Sequence, residues 1–183
     1  MRTRVVKELM VPVSDYATVS QDVTLEVALK ALENENKQYG DVPYRHRSVI
    51  VVDERHHAVG RVSQIDIMRA FEPGYKEVGD LQWIERSRLS QQMLITIREQ
   101  FKLWKQPVEN LRKTMGDVKV SEIMQEPSEG EFVDESDTLN VAMHRIVMGR
   151  HHSLLVTRSR EIVGILRSTD VFNALYDTIF TSE

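Results

Sequence analysis

Apolar positions along the chain recur with two different periods, and each change of period marks a predicted element. Leu25, Ala28, Leu29 and Leu32 fall at i, i+3, i+4 and i+7, the stripe of a helix with one buried face. Val49 to Val52 is instead a short unbroken aliphatic run, which predicts a strand covered on both faces. A polar turn, Asp53 to His56, leads into Ala58-Val59-Gly60-Arg61-Val62, which reads as a hairpin partner. Thr18-Val19 supplies a short strand ahead of the first helix, and Ile65 to Phe71 a short closing helix. The predicted order is β-α-β-β-α.

The same order returns later in the chain, and individual residues return with it. Phe132-Val133, the helix from Leu139, the run Leu154 to Val156, the turn Thr157 to Arg160, the partner Ile162 to Leu166 and the helix Asp170 to Tyr176 repeat the series. Met10 matches Met124, Thr24-Leu25 matches Thr138-Leu139 and Ala28 matches Ala142, all at an offset of 114 residues. Gly60 matches Gly164 and Asp66 matches Asp170 at an offset of 104, so one insertion within Asn34 to Arg47 separates two otherwise collinear copies. The fold class is therefore mixed α/β, of the α+β kind, with one domain in residues 1–72 and a second in 118–183. Halves of about 60 residues bury little apolar surface alone, which predicts that they form one rigid pair.

Residues 73–117 form the connector. Leu94, Ile97, Phe101, Trp104, Val108, Leu111 and Met115 recur there at alternating spacings of 3 and 4, a heptad stripe that predicts a long helical segment. Pro107 either kinks it or sits in the first turn of a second helix ending at Gly116. The segment also holds both tryptophans, Trp83 and Trp104. Such a stripe packs on its own domains, the ordinary fate of an apolar helix face, or on a second copy of the chain, and one this long can serve both.

Composition narrows the function. The net charge of −4 has the wrong sign for neutralising many phosphates, so no nucleic-acid partner is expected. With Cys 0, disulfides, thiolate metal sites and a thiol nucleophile are excluded, which fits a reducing cytoplasm. No apolar stretch is long enough to span or enter a membrane. The nucleophile elbow, the zinc-protease helix motif and the phosphate-binding glycine loops are all missing, and no enzyme is expected. The adjacent pairs His56-His57 and His151-His152 point to opposite faces if extended, and no carboxylate spacing completes a metal site, so none is assigned.

Val6 to Met10 (V-x-E-L-M), Val120 to Met124 (V-S-E-I-M), the Thr-Leu-x-x-Ala helix starts and the Gly-to-Asp endings, in the same order twice, resemble cystathionine-β-synthase (CBS) domains in tandem, a Bateman module. The resemblance covers about two thirds of the chain. It implies two domains packed pseudo-symmetrically, in a two-fold arrangement, through their sheets. Two clefts would lie between them, of the kind that bind adenosine nucleotides in this family. It also implies a stand-alone regulatory module that senses a ligand, requires no cofactor, forms a homodimer and acts on an unidentified protein partner. The alternative is a ligand-free scaffold for dimerisation or protein interaction.

The family's ligand motif carries over residue by residue. In the first copy Gly60 would admit a ligand close to the backbone, Ser63 would help hold a phosphate at a helix start, and Asp66 would accept from ribose hydroxyls. The same Ser63-x-x-Asp66 spacing equally describes a capping box. In the second copy Gly164 and Asp170 remain while Arg167 replaces the hydroxyl residue, either to meet a phosphate or to extend into solvent. Basic residues precede the buried strand in both copies, Arg45-His46-Arg47 and Arg150-His151-His152, as phosphate ligands across the cleft or as a solvated approach to the strand. Six acids, Glu126, Glu129, Glu131, Asp134, Glu135 and Asp137, are expected by the same resemblance to border the second cleft and oppose a polyphosphate there. An adenine nucleotide is thus expected to bind the Gly60–Ser63–Asp66 cleft more tightly.

Overall fold

The computed structural model describes residues 4–38, 47–76, 78, 90–103, 115–124 and 127–180. In the first copy, strands β1 (Val11–Pro12) and β2 (Thr18–Ser20) precede helix α1 (Leu25–Gln38), and the hairpin β3 (Ser48–Val52) and β4 (Ala58–Ser63) leads into α2 (Gln64–Ala70). Helix α3 (Gln91–Gln100) lies in the connector. The second copy runs α4 (Val120–Ile123), β5 (Phe132–Asp134), α5 (Leu139–Gly149), β6 (Ser153–Arg158), β7 (Glu161–Arg167) and α6 (Ser168–Phe180). The β-α-β-β-α series is present twice, as the periodicity predicts.

Each copy centres on a parallel strand pair joined to a hairpin. The first sheet has the order β2-β3-β4, with β2 parallel and β4 antiparallel to β3. Alternation along β3 divides its side chains between two cores. Val49 and Val51 pack with Leu25, Ala28 and Leu32 of α1, Val62 of β4 and Ile67 of α2. Ile50, between them, faces the other way and meets Tyr16, Leu155 and Ile165. The second copy repeats the division, with Leu154, Val156, Leu166, Leu139, Ala142 and Val171 in its own core and Leu155 turned toward the first sheet. Aliphatic runs buried on both faces therefore make a helix-covered core on one side and a sheet-to-sheet contact on the other.

The copies also exchange their lead segments, a feature absent from the periodicity. Val6 is fully buried in the core of the second copy, and Val120 is fully buried in the core of the first. The backbone bonds are reciprocal: Val6 N donates to Asp137 O (2.9 Å) and Leu139 N to Arg4 O (3.0 Å), while Val120 N donates to Val23 O (2.9 Å) and Leu25 N to Val118 O (2.8 Å). Strand β1 then adds to the far sheet, giving the order β1-β7-β6-β5, with Val11 opposite Ile165 and Pro12 opposite Gly164. Core membership thus crosses the division of the chain into consecutive halves.

The described part of the connector differs from a core-packed stripe. Helix α3 has no buried residue, and Leu94 is 53% exposed. Leu103, off the heptad positions, is the buried residue and packs against Gly74, where an added Cβ would come within 2.7 Å of its Cδ2. Met115 joins the edge of the first core. Trp83, Trp104, Pro107, Val108 and Leu111 lie outside the described residues, so a continuous long helix is not established. Among the described residues no helix is long and apolar enough to cross a membrane.

The exchange predicts that neither half is stable alone. Val6→Ala in the whole chain should cost about 2 kcal/mol, since it empties space in the second core. A fragment of residues 118–183 lacks Val6 and β1 and should show no cooperative melting; a cooperative, monomeric fragment would contradict this. Both are read by circular dichroism on heating.

Candidate functional site

Both hairpins carry the same irregularity beside their glycine. Val51 opposes Gly60 but Val52 opposes Ala58, and Val156 opposes Gly164 but Thr157 opposes Ile162. Val59 and Val163 are therefore the extra residues of matching bulges, which re-aim the strand ends that carry the motifs. An added Cβ at Gly164 would lie 2.7 Å from the Val11 carbonyl oxygen and 2.9 Å from Met10 Sδ. What comes close to Gly164 is the first copy's own lead segment, an approach that only glycine accommodates.

At the end of β4 the capping reading of the first motif is realised in full. Ser63 Oγ accepts from Asp66 N (3.2 Å), while Asp66 Oδ2 accepts from Ser63 N (2.8 Å) and Ser63 Oγ (2.6 Å). The other carboxylate oxygen, Oδ1, lies 3.8 Å from Arg69 Nη1. Capping thus concentrates on one oxygen of Asp66.

The second motif is wired differently. Asp170 Oδ2 accepts from Arg167 N (3.2 Å) and Arg167 Nε (2.7 Å), and its Oδ1 accepts from Arg167 Nη2 (2.6 Å). The guanidinium fork engages both oxygens, with side-chain exposures of only 19% and 14%. This pair holds the Arg167 pKa above its ordinary range, against the opposing effect of burial. Arg167 therefore turns back on its own helix start instead of extending into solvent.

The basic clusters contribute through their backbones. Arg47 O accepts from Gln64 N and His152 O accepts from Ser168 N, both at 2.9 Å, so each ties the strand it leads into to the start of a motif helix. The side chains of Arg47 and His152 are exposed. Arg150 takes a left-handed conformation (φ 53°) and caps α5, so it ends a helix and does not lead a strand. The His151 ring lies over Gly149 and within 3.7 Å of a Cβ built at Gly130, beside the segment that leads into β5. Arg45 and His46 lie outside the described residues.

Polar contacts between the halves involve residues that the motif pattern does not single out. Arg61 Nη1 donates to the Ser153 carbonyl (3.1 Å) and to the Ser153 hydroxyl, and its Nη2 donates to Glu131 Oε2 (2.7 Å). Glu131, one of the six acids of that run, is thus paired with the strand that carries the first motif. Within the first copy the phenol of Tyr16 bonds the hydroxyl of Ser48, and Arg167 and Asp170 of the second copy, with Arg61, lie close enough to act on its charge. Burial pushes the Tyr16 pKa above its ordinary value, and the Ser48 bond and the two arginines only partly offset this. The signals were available: Ser48 and Ser153 occupy the same place in the repeat, and Arg61 interrupts an otherwise apolar strand. No three His, Asp or Glu side chains gather into a metal-binding group among the described residues.

The CBS-domain family model matches residues 6–73 and 120–177. A CBS domain-containing protein of unknown function from Bacillus anthracis superposes with a TM-score of 0.64 at 16% identity, over 95% of this chain and 94% of that one. The CBS-pair protein CBSX2 from Arabidopsis thaliana gives 0.63 at 16% identity, over 97% and 98%. A structure of CBSX2 in complex with AMP gives 0.59 at 19% identity, over 96% and 98%. No curated protein matches the chain.

Two outcomes follow from this geometry. A double-mutant cycle on Arg61→Ala and Glu131→Ala should show about 1–2 kcal/mol of coupling in urea unfolding; additive losses would mean that the pair does not hold the halves together. Because the folded-state pKa of Tyr16 is raised, its contribution is complete below pH ~10, the unfolded value, and is lost as pH rises through the folded value. Tyr16→Phe should therefore flatten the fall in melting temperature above pH ~10, and an unchanged slope would contradict the assignment.

Proposed function

Because the chain belongs to the CBS-domain family, we propose that it is a regulatory module that binds an adenine nucleotide between its two halves and changes its association with a protein partner. The observation that carries the reading is the repeated carboxylate: Asp66 and Asp170 each stand in the first turn of a helix that follows a sheet facing the other copy. A carboxylate there accepts from a ribose diol, and the first-turn N–H groups favour an anion beside it. In this proposal Gly60, Ser63 and Asp66, with Arg47, line the preferred cleft, and Gly164, Arg167 and Asp170, with His151 and His152, line the second. The AMP complex of CBSX2 supports an adenine nucleotide as the ligand class. The reading is regulatory and not catalytic, since the hydroxyl–carboxylate pair of Ser63 and Asp66 closes a helix cap.

The ranking of the clefts rests first on the motifs. Asp66 gives Oδ2 to its cap and has Arg69 Nη1 3.8 Å from Oδ1, whereas Asp170 has both oxygens hydrogen-bonded by Arg167. Homodimerisation is part of the proposal. Phe172, Tyr176, Ile179 and Phe180 on α6 are all more than half exposed, and Ile65 and Met68 on α2 repeat an exposed apolar surface in the first copy. A two-fold partner can cover both surfaces at once. Native mass spectrometry of gently purified protein separates this reading from a ligand-free scaffold, by showing or failing to show copurified nucleotide on the dimer.

At a hundred times its dissociation constant, AMP should add ~2.7 kcal/mol to the folded state, a melting shift of roughly 5–10 °C. Asp66→Ala should remove most of the shift, measured against its own ligand-free melting point because the lost cap also costs ~1 kcal/mol. Asp170→Ala should remove less. If AMP, ADP and ATP at millimolar concentration move neither melting nor amide exchange, the nucleotide reading fails.

A further inference from the structure

Resting on that reading, we infer that Tyr16 sets the two clefts apart: its ring fills the second, at the place where Gly130 leaves the first open. Each residue stands two positions ahead of the parallel edge strand of its copy, β2 at Thr18 and β5 at Phe132. Those strands hold the same register in the two sheets, Thr18 opposite Ile50 and Phe132 opposite Leu155. Tyr16 and Gly130 are therefore equivalent points of the repeat, yet Tyr16 is 6% exposed and Gly130 lies open to solvent.

The strand faces fix where the ring goes. Tyr16 packs with Ile50 of β3 and Ile165 of β7, on the faces through which the sheets meet. Side chains two apart on a strand share a face, so Ser48 follows Ile50 and Arg167 follows Ile165 toward the second cleft. The Tyr16 phenol bonds the Ser48 hydroxyl, and Arg167 and Asp170 act on its charge. The ring thus lies between the lead of β3 and the helix start that carries Asp170. A ligand held by Asp170 against the first copy must share that space with an aromatic side chain.

The first cleft has the same frame without the ring. Ser153 and Leu155 stand for Ser48 and Ile50, while Arg61, in the place of Ile165, crosses to the Ser153 carbonyl and to Glu131. Arg61 shares its strand face with Ser63, so Glu131 and its neighbour Gly130 border the side of the contact that carries the first motif. A Cβ built at Gly130 would meet the His151 imidazole at 3.7 Å, an ordinary contact, so a larger residue is accommodated there. Its absence leaves room beside the Asp66 motif. The clefts consequently differ in steric access as well as in the wiring of their carboxylates.

The test is calorimetric titration of the full chain with AMP, with the number bound per chain read by native mass spectrometry. The wild type should bind one AMP tightly and a second at least about tenfold more weakly. Tyr16→Ala should strengthen the second site by about tenfold, and Asp170→Ala in that background should remove the gain. Loss of packing alone would not strengthen a site. Gly130→Tyr, placed on an exposed residue, should weaken the tight site by about tenfold, and it decides the question if Tyr16→Ala does not fold. Two equal sites in the wild type overturn the role of Tyr16 while leaving the nucleotide reading intact. So does a folded Tyr16→Ala chain whose second site is unchanged or weaker, or a Gly130→Tyr chain that keeps its tight site. Absence of AMP binding to the wild-type chain removes the nucleotide reading and this inference with it.

Discussion

Each copy of the repeat is completed by the first residues of the other, and the rest of the molecule depends on that exchange. Val6 fills the second core and Val120 the first, and the backbone bonds that hold them fall at matching places in the two copies. A segment that starts in one half and ends in the core of the other cannot leave without opening two hydrophobic interiors. The two halves are thereby committed to one relative placement before any sheet-to-sheet contact is counted. Strand β1 extends the commitment, because it pairs with β7 at Gly164, where no larger residue fits.

Given that placement, the sheet faces that look away from the helices must meet. Tyr16, Ile50, Leu155 and Ile165 make the contact apolar at its centre, and polar residues occupy its flanks. Arg61 reaches Ser153 and Glu131, while Tyr16 reaches Ser48. Both motif strands run along this contact, so their ends, with Ser63–Asp66 and Arg167–Asp170, stand where the halves adjoin. The two clefts are consequently alike in backbone and unlike in charge wiring. One carboxylate is capped by a hydroxyl with Arg69 beside it, and the other is clasped by a bidentate guanidinium.

Much of the architecture is legible in the sequence because periodicity reports burial directly. The aliphatic run Val49 to Val52 predicts a strand covered on both faces, and the 3.6-residue stripe from Leu25 predicts its helix. What such a pattern lacks is the identity of the covering partner. Val6 appears in the sequence only as the start of a recurring segment, and its bond to Asp137 and its core neighbours assign it to the second copy. The same gap explains the acidic run: Glu131 reads as a solvated acid until Arg61 is placed opposite it. Arg150 misleads for a backbone reason, since a left-handed helix cap usually carries glycine or asparagine and an arginine there looks like part of a basic cluster. Ser63 and Asp66 were legible as a capping box and as a ligand motif at once, because both uses need the same hydroxyl and carboxylate at the same helix start.

The most direct measurement is amide hydrogen exchange on the intact chain, with and without millimolar AMP. A ligand held between the halves should slow exchange at the helix starts after Ser63 and Arg167 together with the strand leads at Arg47 and His152, more strongly on the first side, and should leave α3 unchanged. Protection confined to α3 or to the exposed faces of α5 and α6, or no protection at any site, would contradict a nucleotide site built at the contact between the two copies.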